Sequence, residues 1–147
     1  MDTIEHVLRE KGNAVHTISP KASVLDAVDK MCEHRVGSVL VCDDDEKPVG
    51  IFSERDLMTR VILERHDPAK VKISAVMTAE VVVVDPSTSA QEAMALMTEE
   101  RCRHLPVVDG NRIAGMISIG DLVRWISRNL KFEVRMLTDY ISGKYPG

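Results

Sequence analysis

The sequence predicts a mixed α/β (α+β) fold in which two copies of a β-α-β-β-α unit pack about a pseudo-twofold axis, followed by an extended C-terminal helix. The frame Gly-x-x-Ser-x-x-Asp occurs at 50–56 (GIFSERD) and again at 115–121 (GMISIGD). Upstream of this frame, Met31 and Met97 are two of several matching residues that lie 66 positions apart. Strand-like and helix-like periods also follow the same order in both halves, which indicates a repeat.

Each copy begins with a short strand and a helix. Residues 15–18 and 81–84 are rich in β-branched residues and end at Ser-Pro and Asp-Pro, where a helix can be capped and begun. Apolar residues then recur every three or four positions, which predicts a helix with one buried face. These residues are Val24, Val28 and Met31 in the first copy and Ala90, Met94 and Met97 in the second.

A hairpin and a closing helix complete each copy. Residues 38–41 and 105–108 predict strands, and residues 49–52 and 113–117 predict the strands that return from polar turns. Helical spacing resumes after each frame. The apolar residues that show it are Leu57, Met58, Val61 and Ile62 in the first copy and Leu122, Ile126 and Leu130 in the second.

The repeat suggests a division of the chain into 1–72 (first unit with an N-terminal segment), 73–130 (second unit) and 131–147 (helix extension and tail). Neither half is large enough to fold comfortably alone, so we expect the halves to pack on each other. An apolar stripe runs from Val123 to Ile141. It predicts a homodimer through the repeat helices and the C-terminal helix, or contact with an unidentified protein. Alternatively, this helix folds back near Ile4, Val7 and Leu8.

Composition argues against several classes of protein. A net charge of −4, a pI of about 5.7 and 3% aromatic residues disfavour a nucleic-acid binder. The apolar runs are too short for a membrane span and the first residues lack a signal-peptide pattern, so we expect a soluble, cytoplasmic protein without a membrane partner. Three cysteines without Cys-x-x-Cys spacing predict reduced thiols.

The sequence indicates no catalytic residues and no metal site. It contains no activated nucleophile, no His-Glu-x-x-His and no Walker loop, so we expect a non-enzyme. His104 stands near Cys102, but no third ligand is evident. The acidic run at 43–46 is interpreted as a solvated turn, because it lacks the glycine and distal glutamate of a calcium loop.

The repeated frame has a structural and a functional interpretation. Ser53 with Asp56, and Ser118 with Asp121, fit a capping box at the start of a helix. The same groups suit a nucleotide, because a serine hydroxyl and free amides can bind phosphate while the carboxylate accepts ribose hydroxyls. Capping does not explain the glycine at 50 and 115, since a glycine within a strand often marks close approach by a ligand or by backbone.

The order of the motifs resembles a tandem pair of cystathionine β-synthase (CBS) domains. The resemblance rests on SP-x-x-S-x-x-D-A at 19–27, RVGSVLV at 35–41, RCRHLPVVD at 101–109, GIFSERDL at 50–57 and GMISIGDL at 115–122. It covers about 14–62 and 80–130. It implies a Bateman module, in which two units associate through their sheets and often bind adenine nucleotides in two clefts between the repeats.

The resemblance also implies roles for individual residues. Asp56 and Asp121 match the position that holds the ribose, and Ser53 and Ser118 match a position that helps to hold phosphate. The positions that face phosphate are Gly37 and Ser38 in the first copy and Arg103 and His104 in the second. The backbone near the first strand is expected to meet the base, at Thr17, Ile18 and Val83. Ile51, Pro106 and Met116 are the other residues assigned to the clefts.

We therefore expect a regulatory module that requires no cofactor and binds AMP, ADP, ATP or an NAD-type dinucleotide. The cleft lined by Arg103 and His104 is predicted to prefer multiply charged phosphate, and to weaken when higher pH neutralises His104. The rival hypothesis is a ligand-independent interaction scaffold in which Ser-x-x-Asp only caps helices.

Overall fold

The computed structural model describes residues 2–12 and 14–129. The elements of the first half are α1 (Ile4–Lys11), β1 (Thr17–Ile18), α2 (Val24–His34), β2 (Ser38–Cys42), β3 (Pro48–Ser53) and α3 (Glu54–Asp56), which continues as a π-helix over Leu57–Ile62. The elements of the second half are α4 (Ile73–Val76), α5 (Ala90–Glu100), β4 (His104–Asp109), β5 (Arg112–Ser118) and a helix over 119–129, here α6. The described chain contains no helix long and apolar enough to cross a membrane.

The two sheets have matching registers. In the first, β1 runs parallel to β2, and β2 pairs antiparallel with β3 so that Ser38 faces Ser53. In the second, β4 pairs antiparallel with β5 so that His104 faces Ser118. The strand predicted over 81–84 is reduced to one parallel bridge between Val84 and Val107. The predicted β-α-β-β-α repeat is otherwise confirmed.

Each half completes the core of the other with a helix. Ile4, Val7 and Leu8 of α1 are buried in the core of the second repeat, whereas Ile73 and Val76 of α4 are buried in the core of the first. Equivalent backbone pairs hold them in place: Thr3 bridges Ser89, and Lys72 bridges Ser23. Segments 1–72 and 73–130 thus exchange helices, while the division at these boundaries stays a prediction.

The start of the predicted C-terminal stripe contacts α1. Arg128 donates a hydrogen bond to Glu10 at 2.5 Å, and Asn129 donates one to Asp2 at 2.6 Å. The start of the stripe therefore lies beside α1, while the folding back of the whole helix near Ile4, Val7 and Leu8 stays a prediction. The rest of the predicted helix, and the tail, lie outside the described residues.

Candidate functional site

The Ser-x-x-Asp pairs form capping boxes. The Ser53 hydroxyl accepts a hydrogen bond from the Asp56 amide at 3.3 Å, and the Ser53 amide donates to Asp56 Oδ2 at 3.0 Å. The same two bonds join Ser118 and Asp121, at 3.1 and 2.8 Å. The structural interpretation of the frame is therefore confirmed in both copies.

Two further capping boxes provide an internal comparison. Ser23 with Asp26, and Ser89 with Glu92, make the same reciprocal bonds at the starts of α2 and α5. Asp26 is exposed, whereas only 7% of Asp56 and 8% of Asp121 is accessible to solvent. Burial of the acid therefore distinguishes the repeated frame from an ordinary cap.

The glycines of the frame are explained by the chain itself. A Cβ on Gly50 would lie 2.5 Å from the sulfur of Met77 and 3.0 Å from the carbonyl oxygen of Thr78. A Cβ on Gly115 would lie 2.6 Å from Leu8 Cδ2. Close approach by the protein, rather than by a ligand, thus accounts for the glycine at both positions.

Asp56 is held mainly by hydroxyl and amide groups. Its Oδ1 accepts from the Thr78 hydroxyl at 3.2 Å, and its Oδ2 accepts from Ser53. The nearest cationic atom, Nε of Arg60, is 3.6 Å from Oδ1, and Arg60 also donates to the Met77 carbonyl oxygen at 2.9 Å. The carboxylate therefore has no short bond from a cation.

Asp121 is held by two cations. Lys11 donates to its Oδ2 at 2.6 Å, and Arg124 donates to its Oδ1 at 2.7 Å. Burial alone would raise the pKa of Asp121, but hydrogen bonds from Lys11 and Ser118, with the charge of Lys11, outweigh burial and lower the pKa. Asp121 is thus firmly ionised and already paired within the chain.

A cleft of about 500 Å³, here the Asp121 cleft, lies between the repeats. The second repeat contributes His104, Met116, Ser118, Asp121 and Arg124. The first half contributes Lys11, Gly12, Ala14, His16, Arg35, Val36, Gly37 and Ser38. The predicted ribose and phosphate positions of opposite repeats therefore meet in one space.

A second cleft of about 750 Å³, here the Asp56 cleft, takes its aspartate from the first repeat and its opposite wall from the second half. The first repeat contributes Gly37, Ile51, Ser53, Glu54, Arg55, Asp56, Met58 and Thr59. The second half contributes Thr78, Glu80, Val82, Arg101, Cys102, Arg103 and His104. Arg103 therefore lies in the cleft of Asp56, and His104 borders both clefts.

The two clefts differ in charge. The Asp121 cleft is lined by three cationic side chains (Lys11, Arg35 and Arg124) and one carboxylate. The Asp56 cleft has three arginines, at 55, 101 and 103, balanced by Glu54, Asp56 and Glu80. The Asp121 cleft thus has an excess of cationic side chains, while the preference for multiply charged phosphate expected of the cleft lined by Arg103 and His104 stays a prediction.

His104 is neutral at neutral pH. Its burial lowers its pKa, Lys11 and Arg103 lower it further, and Asp121 and Glu54 partly oppose this. Raising the pH above neutrality thus removes little charge from His104. The expected weakening of its cleft at higher pH stays a prediction, and the lowered pKa of His104 moves this effect to more acidic pH.

Four of the predicted site residues line neither cleft. Thr17 borders a different depression beside the hairpin turns, and Val83 borders a groove along α5. Ile18 packs against the core of the first repeat, and Pro106 is buried in β4, where its carbonyl oxygen accepts from the Val84 amide at 3.0 Å. The assignment of Thr17, Ile18 and Val83 to the base, and of Pro106 to a cleft, stays a prediction.

Of the cationic residues of the clefts, Arg103 was predicted, whereas Arg35 and Arg101 were weighed as ligand contacts and interpreted instead as helix-end residues. Arg35 and Arg101 occupy equivalent left-handed positions at the ends of α2 and α5, with φ of 54° in both. Such a conformation is uncommon for arginine, yet it occurs at both cleft edges. The recurrence of an arginine 66 positions along the chain was the feature of the sequence that indicated a shared role. Lys11 offered no such feature, because the repeat recognised in the sequence does not extend into α1.

The structure indicates no metal centre in the part of the chain that it describes. There, no three His, Cys, Asp or Glu side chains form a group that could hold a metal ion. Burial raises the pKa of the Cys102 thiol, so it is a poor metal ligand and a poor nucleophile at neutral pH. The clefts therefore offer carboxylates, hydroxyls and cations for reversible binding.

Comparison with known proteins identifies the repeats. The family model of the CBS domain matches residues 3–63 and again residues 73–128. The chain belongs to the CBS-domain family. Its two CBS domains form a tandem pair, and CBS-domain pairs are generally regulatory modules.

Known CBS proteins resemble the whole described fold. The CBS domain-containing protein CBSX3, mitochondrial, of Arabidopsis thaliana is 34% identical, over 97% of this chain and 73% of its own. The crystal structure of the CBS-domain containing protein ATU1752 from Agrobacterium tumefaciens is 36% identical, with a TM-score of 0.78 over 83% of this chain and 91% of that one. A hexameric CBS-CP12 protein from bloom-forming cyanobacteria is 28% identical, with a TM-score of 0.77 over 84% of this chain and 70% of that one. Two other curated relatives are longer, and the match spans 57% and 35% of their lengths.

Proposed function

We propose that this CBS pair is a regulatory module that binds an adenine nucleotide in its clefts and performs no chemistry on it. The ligand is AMP, ADP, ATP or an NAD-type dinucleotide. One observation carries the proposal: each cleft combines a buried aspartate of one repeat with cationic side chains of the other. Ribose hydroxyls and phosphate groups are the parts of a nucleotide that these groups complement.

Occupancy of a cleft between repeats also provides a way to transmit a signal. Arg35 reaches the Asp121 cleft from the end of α2, and Arg101 reaches the Asp56 cleft from the end of α5. A phosphate that contacts one of these arginines and the opposite repeat would bias how the repeats pack. The output of binding is a changed surface that a partner protein can recognise. We also propose that the module acts in the cytoplasm.

The second candidate is a ligand-independent interaction scaffold. It is favoured by the finding that serine, aspartate and glycine of the repeated frame each have a role within the chain. It also draws on the exposed apolar residues Met58, Ile62 and Leu63, with 63, 55 and 70% of their surface exposed, and on Val123 in α6, with 52%. We propose that this surface forms a homodimer.

Thermal unfolding in the presence of nucleotides separates the two candidates. A ligand that binds only the folded state raises the melting temperature as its concentration rises. AMP, ADP, ATP and NAD are tested, with guanine nucleotides and S-adenosylmethionine as comparisons. A concentration-dependent rise with an adenine nucleotide supports the sensor. The absence of a rise with every compound at millimolar concentration would favour the scaffold.

A further inference from the structure

Lys11 occupies the position in the Asp121 cleft that the proposed function gives to a ribose. Its ammonium group donates to Asp121 Oδ2 at 2.6 Å and to the Met116 carbonyl oxygen at 2.5 Å. The lysine side chain is 34% exposed, while that of Asp121 is 7% exposed. The equivalent contact to Asp56 is made by the Thr78 hydroxyl, at 3.2 Å. An ammonium group thus competes with a ribose for the aspartate in one cleft only.

We infer that Lys11 makes the Asp121 cleft selective for nucleotides that carry phosphate, an inference that rests on the proposed function. A ribose that bonds to Asp121 Oδ2 displaces the Lys11 ammonium from that oxygen, which costs the ammonium a charged hydrogen bond in a partly desolvated place. A phosphate group provides a new acceptor for this ammonium. A nucleoside provides none and therefore binds poorly.

The surroundings of Lys11 permit this transfer from carboxylate to phosphate. Arg35 and Arg124 line the same cleft, so a phosphate near Lys11 is met by further cations. Lys11 is the last residue of α1, and the Cβ position of the next residue, Gly12, has no neighbouring atom within 4 Å. The chain immediately after the lysine is therefore not closely packed.

The Asp56 cleft is the internal control. Thr78 can rotate its hydroxyl away from Asp56 without leaving a charge unpaired, so a ribose meets little competition there. The preference for ATP over adenosine should therefore be larger in the Asp121 cleft than in the Asp56 cleft.

Each cleft contains a methionine that can report on it. Met116 lines the Asp121 cleft and Met58 lines the Asp56 cleft. With ¹³C-methyl methionine in the full chain, adenosine, AMP and ATP are titrated by NMR, and the two signals are assigned with Met116→Leu and Met58→Leu. The variants are Lys11→Ala, Lys11→Arg and, as a control, Lys70→Ala, since Lys70 is exposed and lines neither cleft.

At the Met116 signal, Lys11→Ala should bind adenosine about tenfold more tightly and ATP about tenfold more weakly than the wild type, which corresponds to one charged hydrogen bond in each direction. Lys11→Arg and Lys70→Ala should keep the wild-type preference for ATP over adenosine. The affinities measured at the Met58 signal should be the same in all these variants as in the wild type. Equal changes for adenosine and ATP in Lys11→Ala, or a lost preference in Lys11→Arg, would overturn the inference while leaving the proposed function intact. If neither methionine responds to any of the three compounds in any variant, both are overturned.

Discussion

Met77 packs directly over Gly50, with its sulfur atom 2.5 Å from the place where a Cβ on residue 50 would lie. Leu8 stands in the same relation to Gly115, at 2.6 Å. Leu8 and Met77 follow the equivalent bridging residues Thr3 and Lys72 by five positions each. The glycine therefore recurs in the frame because each half sends a side chain across the last strand of the opposite core.

We predict that Gly115→Ala lowers the free energy of unfolding by about 1 to 3 kcal/mol, because the added methyl overpacks against Leu8. In a Leu8→Ala background the same change should cost less, since the space that Leu8 occupied is then open. Urea denaturation of the four proteins of this double-mutant cycle measures the coupling. Strictly additive effects would show that the contact between Leu8 and residue 115 is not the cause.

The four capping boxes that begin with a serine allow capping to be separated from ligand binding. Ser23→Ala and Ser53→Ala should each destabilise the protein by about 1 kcal/mol, because each removes an acceptor for an amide at a helix start. Only Ser53→Ala should also weaken nucleotide binding, since Ser23 lines neither cleft. Thermal melts and calorimetric titrations with AMP measure both effects. Equal affinities in the two variants would leave Ser53 with a structural role alone.

His104 should make the protein less stable in mild acid. Because burial lowers its pKa, the folded protein binds its proton at lower pH than the unfolded chain, which protonates near pH 6.5. The unfolded state therefore holds more protons below that pH, and the free energy of unfolding falls as the pH falls from 7 towards 5. In His104→Gln the fall should be shallower, as measured by urea denaturation across this range. If the free energy of unfolding changed with pH as steeply in His104→Gln as in the wild type, His104 would not be the cause of the fall.

The exposed apolar surface predicts self-association through the helices that follow β3 and β5. Leu63→Glu combined with Val123→Glu should convert a homodimer into a monomer in multi-angle light scattering, because two charges would be buried in the interface. Leu25→Glu on α2, where leucine is 43% exposed, is the matched control and should leave the mass unchanged. A wild-type protein that is monomeric at micromolar concentration would refute the dimer.

The sequence was sufficient for the features that local pattern determines. The repeat interval, the caps at Ser53 and Ser118, and the hairpins depend on neighbours in the chain, and these were predicted. The caps of α2 and α5 were expected at Ser-Pro and Asp-Pro but lie at Ser23 and Ser89. The contact between Lys11 and Asp121 spans 110 positions, and no periodicity connects the two residues. For the same reason, the cationic excess of the Asp121 cleft was not predicted, since Arg35 and Lys11 enter this cleft from another part of the chain. Tertiary contacts of this kind can be found only once the fold places the residues together.

The central claim, that buried aspartates of the repeats hold the ribose of a nucleotide, is tested most directly by titration calorimetry on Asp56→Ala combined with Asp121→Ala. Each substitution removes a charged hydrogen bond to the ligand, worth about 1.5 to 3 kcal/mol, and so weakens its cleft by about tenfold or more. The account predicts that AMP and ATP bind the wild type and that binding to the double variant, confirmed as folded by circular dichroism, is weakened by at least this factor. Equal affinities of the two proteins for the same nucleotide would contradict it.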